Sequence, residues 1–401
     1  VNLLFFTRRL TVGGCQVNAI NLARVLVKRG HRVVLAAHPG PLEARLGPAN
    51  IEFAPLEYEN RKHPSLRTMR ELSELCDRHQ IDVLQAFDPI PLLEAYGSQF
   101  LHGRSVFGLI AAQETPEFRM PSSRETALVN PETRTRWVRD LGFSPECLPL
   151  ITARLDCDGY SPRVVDVGEL LGGGGVDASE PRVTLVTRID AGKWSTIELF
   201  LDAARRWAEL QPGAVRPQFV IVGGGPLLPK LRERVVAAGR GVFATGERMD
   251  IAQVMSASDV VLGMASTCQQ GIACGRAVVV LGSQGVSEII EPESFEFLAD
   301  HHFNLHGPAD RQQPAALCEQ LAGLLADVER RARLGQFGRR VACERYDARI
   351  GAAQLEDVYD RLAAERELGS ASRSRQGIEL SLCFGSLYLH RVRRTLRRLR
   401  S

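Results

Sequence analysis

The chain has 401 residues, 44% hydrophobic and 24% charged, enough for two or three globular domains with sizeable cores, and its net charge of +3 is too small to point to nucleic acid. Its nine cysteines are odd in number and scattered, with neither a CxxC pair nor Cys/His ligand spacing. That argues against a disulfide framework and a zinc site and for a reducing, cytoplasmic compartment. No charged leader followed by an apolar segment opens the chain and no apolar run reaches about 18 residues, so neither a signal peptide nor a spanning helix is expected.

In chain order, the first half carries strand-like runs at Leu3–Thr7, Arg32–Ala37, Asp82–Phe87, Val106–Ala112, Ala127–Asn130 and Leu148–Ile151, with helix-like segments at Cys15–Arg29, Ser65–His79 and Pro131–Leu141. Between the first strand and the first helix lies Thr11-Val-Gly13-Gly14, where backbone N–H groups can face an anion with no Cβ in the way. Ser161–Pro181 is rich in glycine and reads as linker or surface loop. The second half repeats the alternation, with strands at Val183–Val186, Phe219–Val222, Val242–Thr245, Val260–Leu262 and Ala277–Leu281, then helices at Pro314–Leu325, Asp327–Arg345 and Tyr346–Glu367. Strands alternating with helices make parallel sheets covered on both faces, and two such series predict two doubly wound domains. The expected division is residues 1–162, a linker at 163–181, a second domain at 182–345, a helix at 346–368 crossing back to the first domain, and a tail at 369–401.

The most telling stretch is Arg182-Val-Thr-Leu-Val-Thr-Arg188-Ile-Asp-Ala-Gly192-Lys193. A buried strand delivers two cations, five residues apart, to the start of a helix at Thr196–Ala208. The carboxyl edge of an open α/β sheet is where ligands bind, and a guanidinium, an ammonium and helix N–H groups placed there suit a diphosphate. Lysine is scarce in this chain (Lys28, Lys62, Lys193 and Lys230 only), so Lys193 in such a loop stands out, and the Arg, Ala and Gly bias points to a GC-rich bacterial gene. A dinucleotide-binding fingerprint is missing, since neither Gly13-Gly14 nor Gly223-Gly-Gly225-Pro226 completes GxGxxG.

Taken in order, these pieces resemble the retaining glycosyltransferases of the GT-B fold, family 4. Phe6 to Gly30 looks like that family's first strand, Gly-Gly loop and helix. Leu150-Ile-Thr-Ala-Arg-Leu-Asp156 through Pro162 is similar to its "IPNGVD" segment, and Val186 to Lys193 to "GRLxxxKG". Val220 to Pro226 is similar to "IVGDGP", and Ala273-Cys-Gly-Arg276-Ala-Val-Val-Val to "ACGRPVV". The resemblance covers Leu3 to about Leu362 and implies two Rossmann-like domains facing a cleft, with the acceptor in the first and the nucleotide-sugar in the second. It implies that Arg188 and Lys193 hold the donor diphosphate and stabilise the charge on the leaving group. Gly13 and Gly14 would let the acceptor-side backbone approach it, and neither a cofactor nor a metal would be needed.

The chain departs from the family where two glutamates, separated by seven residues, usually meet the donor sugar and the ribose. Gln270 stands at the second position and Leu262 at the first, leaving Ser266 and Thr267 as the nearby groups that could meet the sugar. Gln113 stands where many relatives have histidine. Glu288 is expected to open a helix, as a structural residue or a donor contact. His301, His302 and His306 look like surface residues of a loop after a strand, not a metal cluster. These departures leave a non-catalytic GT-B subunit as the alternative, while an epimerase on the same fold would need an acid/base set that the sequence does not offer.

In the tail, Ser370–Gly377 looks flexible. Beyond it Tyr388, Val392, Leu396 and Leu399 form one helical stripe, with Arg393, Arg394, Arg397 and Arg400 opposite. Such a helix suits an anionic membrane surface over residues 388–400, and equally a helix packed on the protein or a disordered end. The expected partners are a nucleotide-sugar donor and a glycan, lipid-linked or small-molecule acceptor.

Overall fold

Two six-stranded sheets organise the chain, each within its own unit: Val1–Arg154 with Ala348–Ser401, and Leu155–Asp347. The computed structural model describes all residues except 59–63, 104, 111–117, 122–125, 172–173, 283–285, 306–313, 365–369 and 401; for 102, 147, 370–373, 391 and 393–400 only the backbone is described.

The first unit begins β1 (Asn2–Arg9), α1 (Gly14–Lys28), β2 (Arg32–His38), β3 (Glu52–Pro55) and α2 (Leu66–Arg78). It continues with β4 (Val83–Ala86), α3 (Pro89–His102), β5 (Ser105–Ile110), β6 (Thr126–Leu128) and α4 (Pro131–Leu141). The strand order is β3-β2-β1-β4-β5-β6, with every pair parallel. Because both faces are covered, the strands are apolar throughout rather than alternating: Leu3 to Phe6 and Val33 to Ala37 are all buried.

The second unit holds α5 (Val167–Leu171), β7 (Arg182–Val186), α6 (Trp194–Leu210), β8 (Gln218–Val222), α7 (Leu228–Ala238), β9 (Val242–Gly246) and α8 (Ile251–Ser256). There follow β10 (Val260–Gly263), α9 (Ser266–Ala273), β11 (Ala277–Leu281), β12 (Ser287–Ile289), α10 (Pro292–Asp300), α11 (Pro314–Ala326) and α12 (Val328–Arg345). Its order is β12-β11-β10-β7-β8-β9, parallel except for β12, which runs antiparallel to β11.

Two helices close the chain, α13 (Ala348–Ala364) and α14 (Ser370–Arg400), and both belong to the first unit. Ala352, Leu355, Tyr359 and Leu362 of α13 join the core formed by Leu22 and Leu26 of α1. The Tyr359 hydroxyl donates to buried Gln85 Oε1 in β4, and Glu356 accepts from Arg29, the residue that ends α1, at 2.7 and 2.5 Å. At Gly351 a Cβ would collide with the Ala153 carbonyl, so glycine sets how closely α13 approaches.

Several sequence expectations change. The chain passes into the second unit at Leu155, not after Pro162: Leu155 N–H donates to the Tyr346 carbonyl at 2.7 Å, and Arg339 donates to the Cys157 and Tyr160 carbonyls. The Gly-rich stretch contains α5, and the expected strand at Leu148–Ile151 is a single bridge, Leu128 to Leu150. Helix α3 was missed because PIPLLEAYGSQFLH is apolar on nearly every side and shows no stripe. Ser370–Gly377 is the start of α14, not a flexible segment. Cys383 and Leu387 pack there with Ile90 and Leu93 of α3, Leu380 joins the core cluster that holds Leu92 and Tyr96, and Gln376 Nε2 donates to Gln99 Oε1 at 2.8 Å. His301 and His302 follow helix α10 rather than a strand, and His302 is buried; His306 lies outside the described residues.

Glycines 351 and 323 allow a paired test. Gly351→Ala pushes a methyl into backbone and is expected to cost about 1–3 kcal/mol. Gly323→Ala, on α11 with nothing within 4 Å, should instead gain about 0.5–1 kcal/mol. Denaturation midpoints followed by Trp137 fluorescence for the first and Trp207 for the second would read both signs.

Candidate functional site

In each sheet the chain winds outward from the first strand, then returns to that strand's other side. The order therefore reverses between β1 and β4, and between β7 and β10. At such a point the connections on the carboxyl edge leave in opposite directions and open a crevice where ligands bind in doubly wound sheets.

In the second unit the loop after β7 is clasped onto the glycine loop after β8. Thr187 N–H donates to the Val222 carbonyl at 3.0 Å, Ile189 N–H to Gly224 at 2.9 Å, and Leu227 N–H to Ile189 at 3.0 Å. Gly223 and Gly225 take φ of +152°, and a Cβ on either would strike the Thr187 or Ile189 carbonyl, so these glycines serve the clasp. Asp190 then caps the turn. Its Oδ1 accepts from Lys193 N–H at 3.2 Å, while Oδ2 pairs with Arg188 Nε at 3.2 Å. Arg188 is 71% exposed, so that pair is weak and the guanidinium is available to an anion.

Lys193 is half-buried, and its Nζ lies 3.0 Å from Met264 Sδ, just past β10 on the other side of the reversal. Burial lowers its pKa, against the opposing pull of Asp190. A neutral thioether compensates an ammonium poorly, and an incoming anion would do so better. After Met264 comes Ala265, a non-glycine at φ +48°, whose N–H donates to the Phe303 carbonyl at 2.9 Å. Conformations of this kind cost about 1–3 kcal/mol and persist where their surroundings impose them. Here the turn starts α9 at Ser266, so Ser266 and the first-turn N–H groups come to the edge that carries Lys193. The Thr267 methyl lies against Gly263, where a Cβ would displace it.

The remaining expected donor residues are placed less closely. Gln270 sits half-buried one turn into α9, whereas Gln269 beside it is buried with Nε2 unpartnered. Leu262, at the position of the family's first glutamate, is fully buried in β10 and presents nothing polar. Glu288 does not open a helix: it lies in β12, opposite Val280, and Val280 in turn faces Gly263, so it stands two strands from the end of β10. Burial first, then neighbouring Glu291, raises its pKa. Gln113 lies outside the described residues.

In the first unit Gly13 and Gly14 start α1 at the carboxyl edge of β1. Gly13 provides no side-chain cap and no acid occupies the first turn, so the first N–H groups of the helix lack intrahelical acceptors. Three charged residues that the sequence did not single out share this edge. Arg8 Nε lies 3.9 Å from Asp88 Oδ2, where β4 leads into α3. Burial raises the Asp88 pKa, with Arg8 opposing. Arg154 is 3% exposed, and burial pushes its pKa down to about 10. A signal for both was present: Asp88 follows a strand at the carboxyl edge, and Arg154 replaces the glycine of the "IPNGVD" pattern.

The comparisons with known proteins bear on the family and the fold. Residues 180–327 match the family model described as Glycosyl transferases group 1, and residues 12–109 match Glycosyltransferase Family 4; together these take in more than half of the chain. Among solved structures, a glycosyltransferase from Rickettsia africae is 13% identical, with a TM-score of 0.69 over 90% of this chain and 98% of its own. Anabaena Alr3699/HepE in complex with UDP-glucose is 16% identical, with a TM-score of 0.69 over 90% and 99%. Sucrose-phosphate synthase from Thermosynechococcus elongatus is 14% identical, with a TM-score of 0.66 over 91% and 99%. At these identities the likeness is one of fold, and no curated protein sequence matches the chain.

The depressed Lys193 pKa sets a pH dependence. An anion beside Nζ favours the charged form and raises that pKa, so binding takes up a proton wherever free Lys193 is neutral. Pyrophosphate affinity is expected to stay level below the depressed pKa and to fall as pH rises through it; Lys193→Met should flatten the profile. Titration calorimetry across the alkaline range would check this.

Proposed function

The chain belongs to the GT-B glycosyltransferases of group 1 and family 4, and from that membership we propose that it transfers a sugar from a UDP- or GDP-sugar to an acceptor hydroxyl with retention of anomeric configuration. The observation that carries the reading is the pair of cations at the reversal of the second sheet, exposed Arg188 and half-buried Lys193, on a loop held by the Gly223–Gly225 clasp. Placed on the diphosphate, they stabilise the negative charge that builds as the glycosidic bond breaks, without requiring a metal. UDP and UDP-glucose occupy the Anabaena fold relative, which supports a uridine donor as the first to test. With Leu262 in place of an acid, the donor sugar is met by Ser266, Thr267 and the N–H groups at the start of α9, and the ribose by Gln270. The leaving phosphate can then take the acceptor proton.

The acceptor lies on the first unit in this reading, and α14 favours one that is lipid-linked. Its inner side packs on α3, while Ile378, Leu382, Leu389 and Val392 fall on one outward stripe and are exposed. A cavity of about 410 Å³ runs beside that stripe, lined by Leu382, Gly385, Ser386, Leu389, His390 and Arg119. Six arginines follow within residues 391–400. An apolar stripe followed in sequence by six arginines matches an anionic bilayer surface and disfavours self-association, since two copies would bring like charges together. Among the described residues no helix is long and apolar enough to cross a membrane.

Three outcomes are expected. UDP should bind without added metal, and Arg188→Ala and Lys193→Ala should each weaken it by about tenfold or more; unchanged affinity in either would remove that residue from the donor site. Transfer from an α-linked donor should give an α-linked product by NMR. In sedimentation, the full chain should bind vesicles containing phosphatidylglycerol and lose them on Leu382→Asp/Leu389→Asp; equal binding to neutral vesicles would count against the electrostatic part.

A further inference from the structure

Among the described residues no opposite charge pairs with Arg154. It is 3% exposed, and neither its Nε nor its Nη1 has a hydrogen-bond partner. Among the described residues the one titratable group acting on it is the Cys15 thiol, which lies in the first turn of α1 with its Sγ 3.5 Å from the Phe87 carbonyl. That thiol supplies no counter-charge, since burial first and Asp88 second raise its pKa well above the ordinary value. Asp88 in turn is paired with Arg8. The backbone holds the arginine in place: Asn21 Nδ2 of α1 donates to the Arg154 carbonyl at 3.2 Å, and the neighbouring Ala153 carbonyl lies against Gly351. A buried cation without partners is strongly unfavourable, and such sites retain arginine where an anion completes them. Cys15, near enough to act on this guanidinium electrostatically, belongs to the first turn of a 15-residue helix with no side-chain cap and no acid in that turn.

We infer that Arg154 and the first turn of α1 seat an oxyanion, a phosphate or carboxylate carried by the sugar acceptor. The word acceptor rests on the proposed transferase reading; the seat itself rests on the two unpartnered nitrogens of the buried guanidinium. An oxyanion at either free nitrogen supplies the missing counter-charge and an acceptor, and the helix N–H groups supply further donors. Enzyme with this seat would prefer acceptors bearing a phosphoryl or uronate group over neutral sugars.

The test uses the full chain in an Arg188→Ala/Lys193→Ala background, so that the donor cations cannot contribute. Inorganic phosphate, glucose 6-phosphate, glucuronate and glucose are titrated by calorimetry. The charged ligands are expected to bind at least tenfold more tightly than glucose, and adding Arg154→Gln should cut that binding at least tenfold. Glucose 6-phosphate and glucuronate together tell a phosphoryl from a carboxylate preference. Thermal melting should stay level or rise in Arg154→Gln, because an uncompensated charge has been removed, with Arg154→Met as the second variant. No oxyanion binding by the folded background protein, or binding undiminished in both variants, overturns the inference. A parallel UDP titration separates it from the donor reading. Arg154→Gln alone should bind UDP as wild type does. A matching loss of UDP affinity would assign Arg154 to the donor and overturn a separate seat. Failure of UDP to bind wild type would count against the donor site, while the oxyanion titrations still decide this one.

Discussion

A parallel sheet whose strand order reverses cannot close its carboxyl edge at the point of reversal, because the two connections there leave in opposite directions. Both units are built around that constraint, and both place a cation whose pKa burial lowers near it. In the second, the loop after β7 meets the turn after β10; in the first, the Gly13–Gly14 loop meets the end of β4. The rest of each unit keeps those loops still. The clasp of Gly223 and Gly225 against the Thr187 and Ile189 carbonyls is the clearest instance, since without a Cβ two backbones approach closely enough to share three hydrogen bonds.

The two edges use burial differently. Arg188 is mostly exposed and can follow a ligand, whereas Lys193 is half-buried and held against a sulfur that attracts it little. Burying a cation lowers its affinity for a proton and raises its affinity for an anion, for the same electrostatic reason. Arg154 takes this further, with two guanidinium nitrogens buried and unpartnered. Its residue is 3% exposed, so its field is screened less by water than that of a surface arginine.

Much of the fold was legible in the sequence because parallel strands covered on both faces are continuous apolar runs, and these are hard to mistake. Most expected strands are present within a residue or two. The misses have definite causes. β3 has four residues and ends in proline, too short to show a period. Helix α3 is apolar nearly all round because α14 and the sheet cover it from different sides. The start of α14 looked flexible because its serines and arginines form no stripe, yet Gln376 and Cys383 find partners on α3.

The same division holds for the site. Sequence alone determined that a strand hands Arg188 and Lys193 to a helix start, that Gly13-Gly14 opens another helix, and that Gln270 and Leu262 stand where acids are usual, because these are matters of order and spacing along one chain. Only the tertiary structure decided that Met264 meets Lys193, that Glu288 lies on an antiparallel edge strand, and that Arg154, separated from Cys15 by more than a hundred residues, shares its edge with the start of α1. Those relations depend on which strands become neighbours and on what burial leaves without a partner, and neither is written in local sequence.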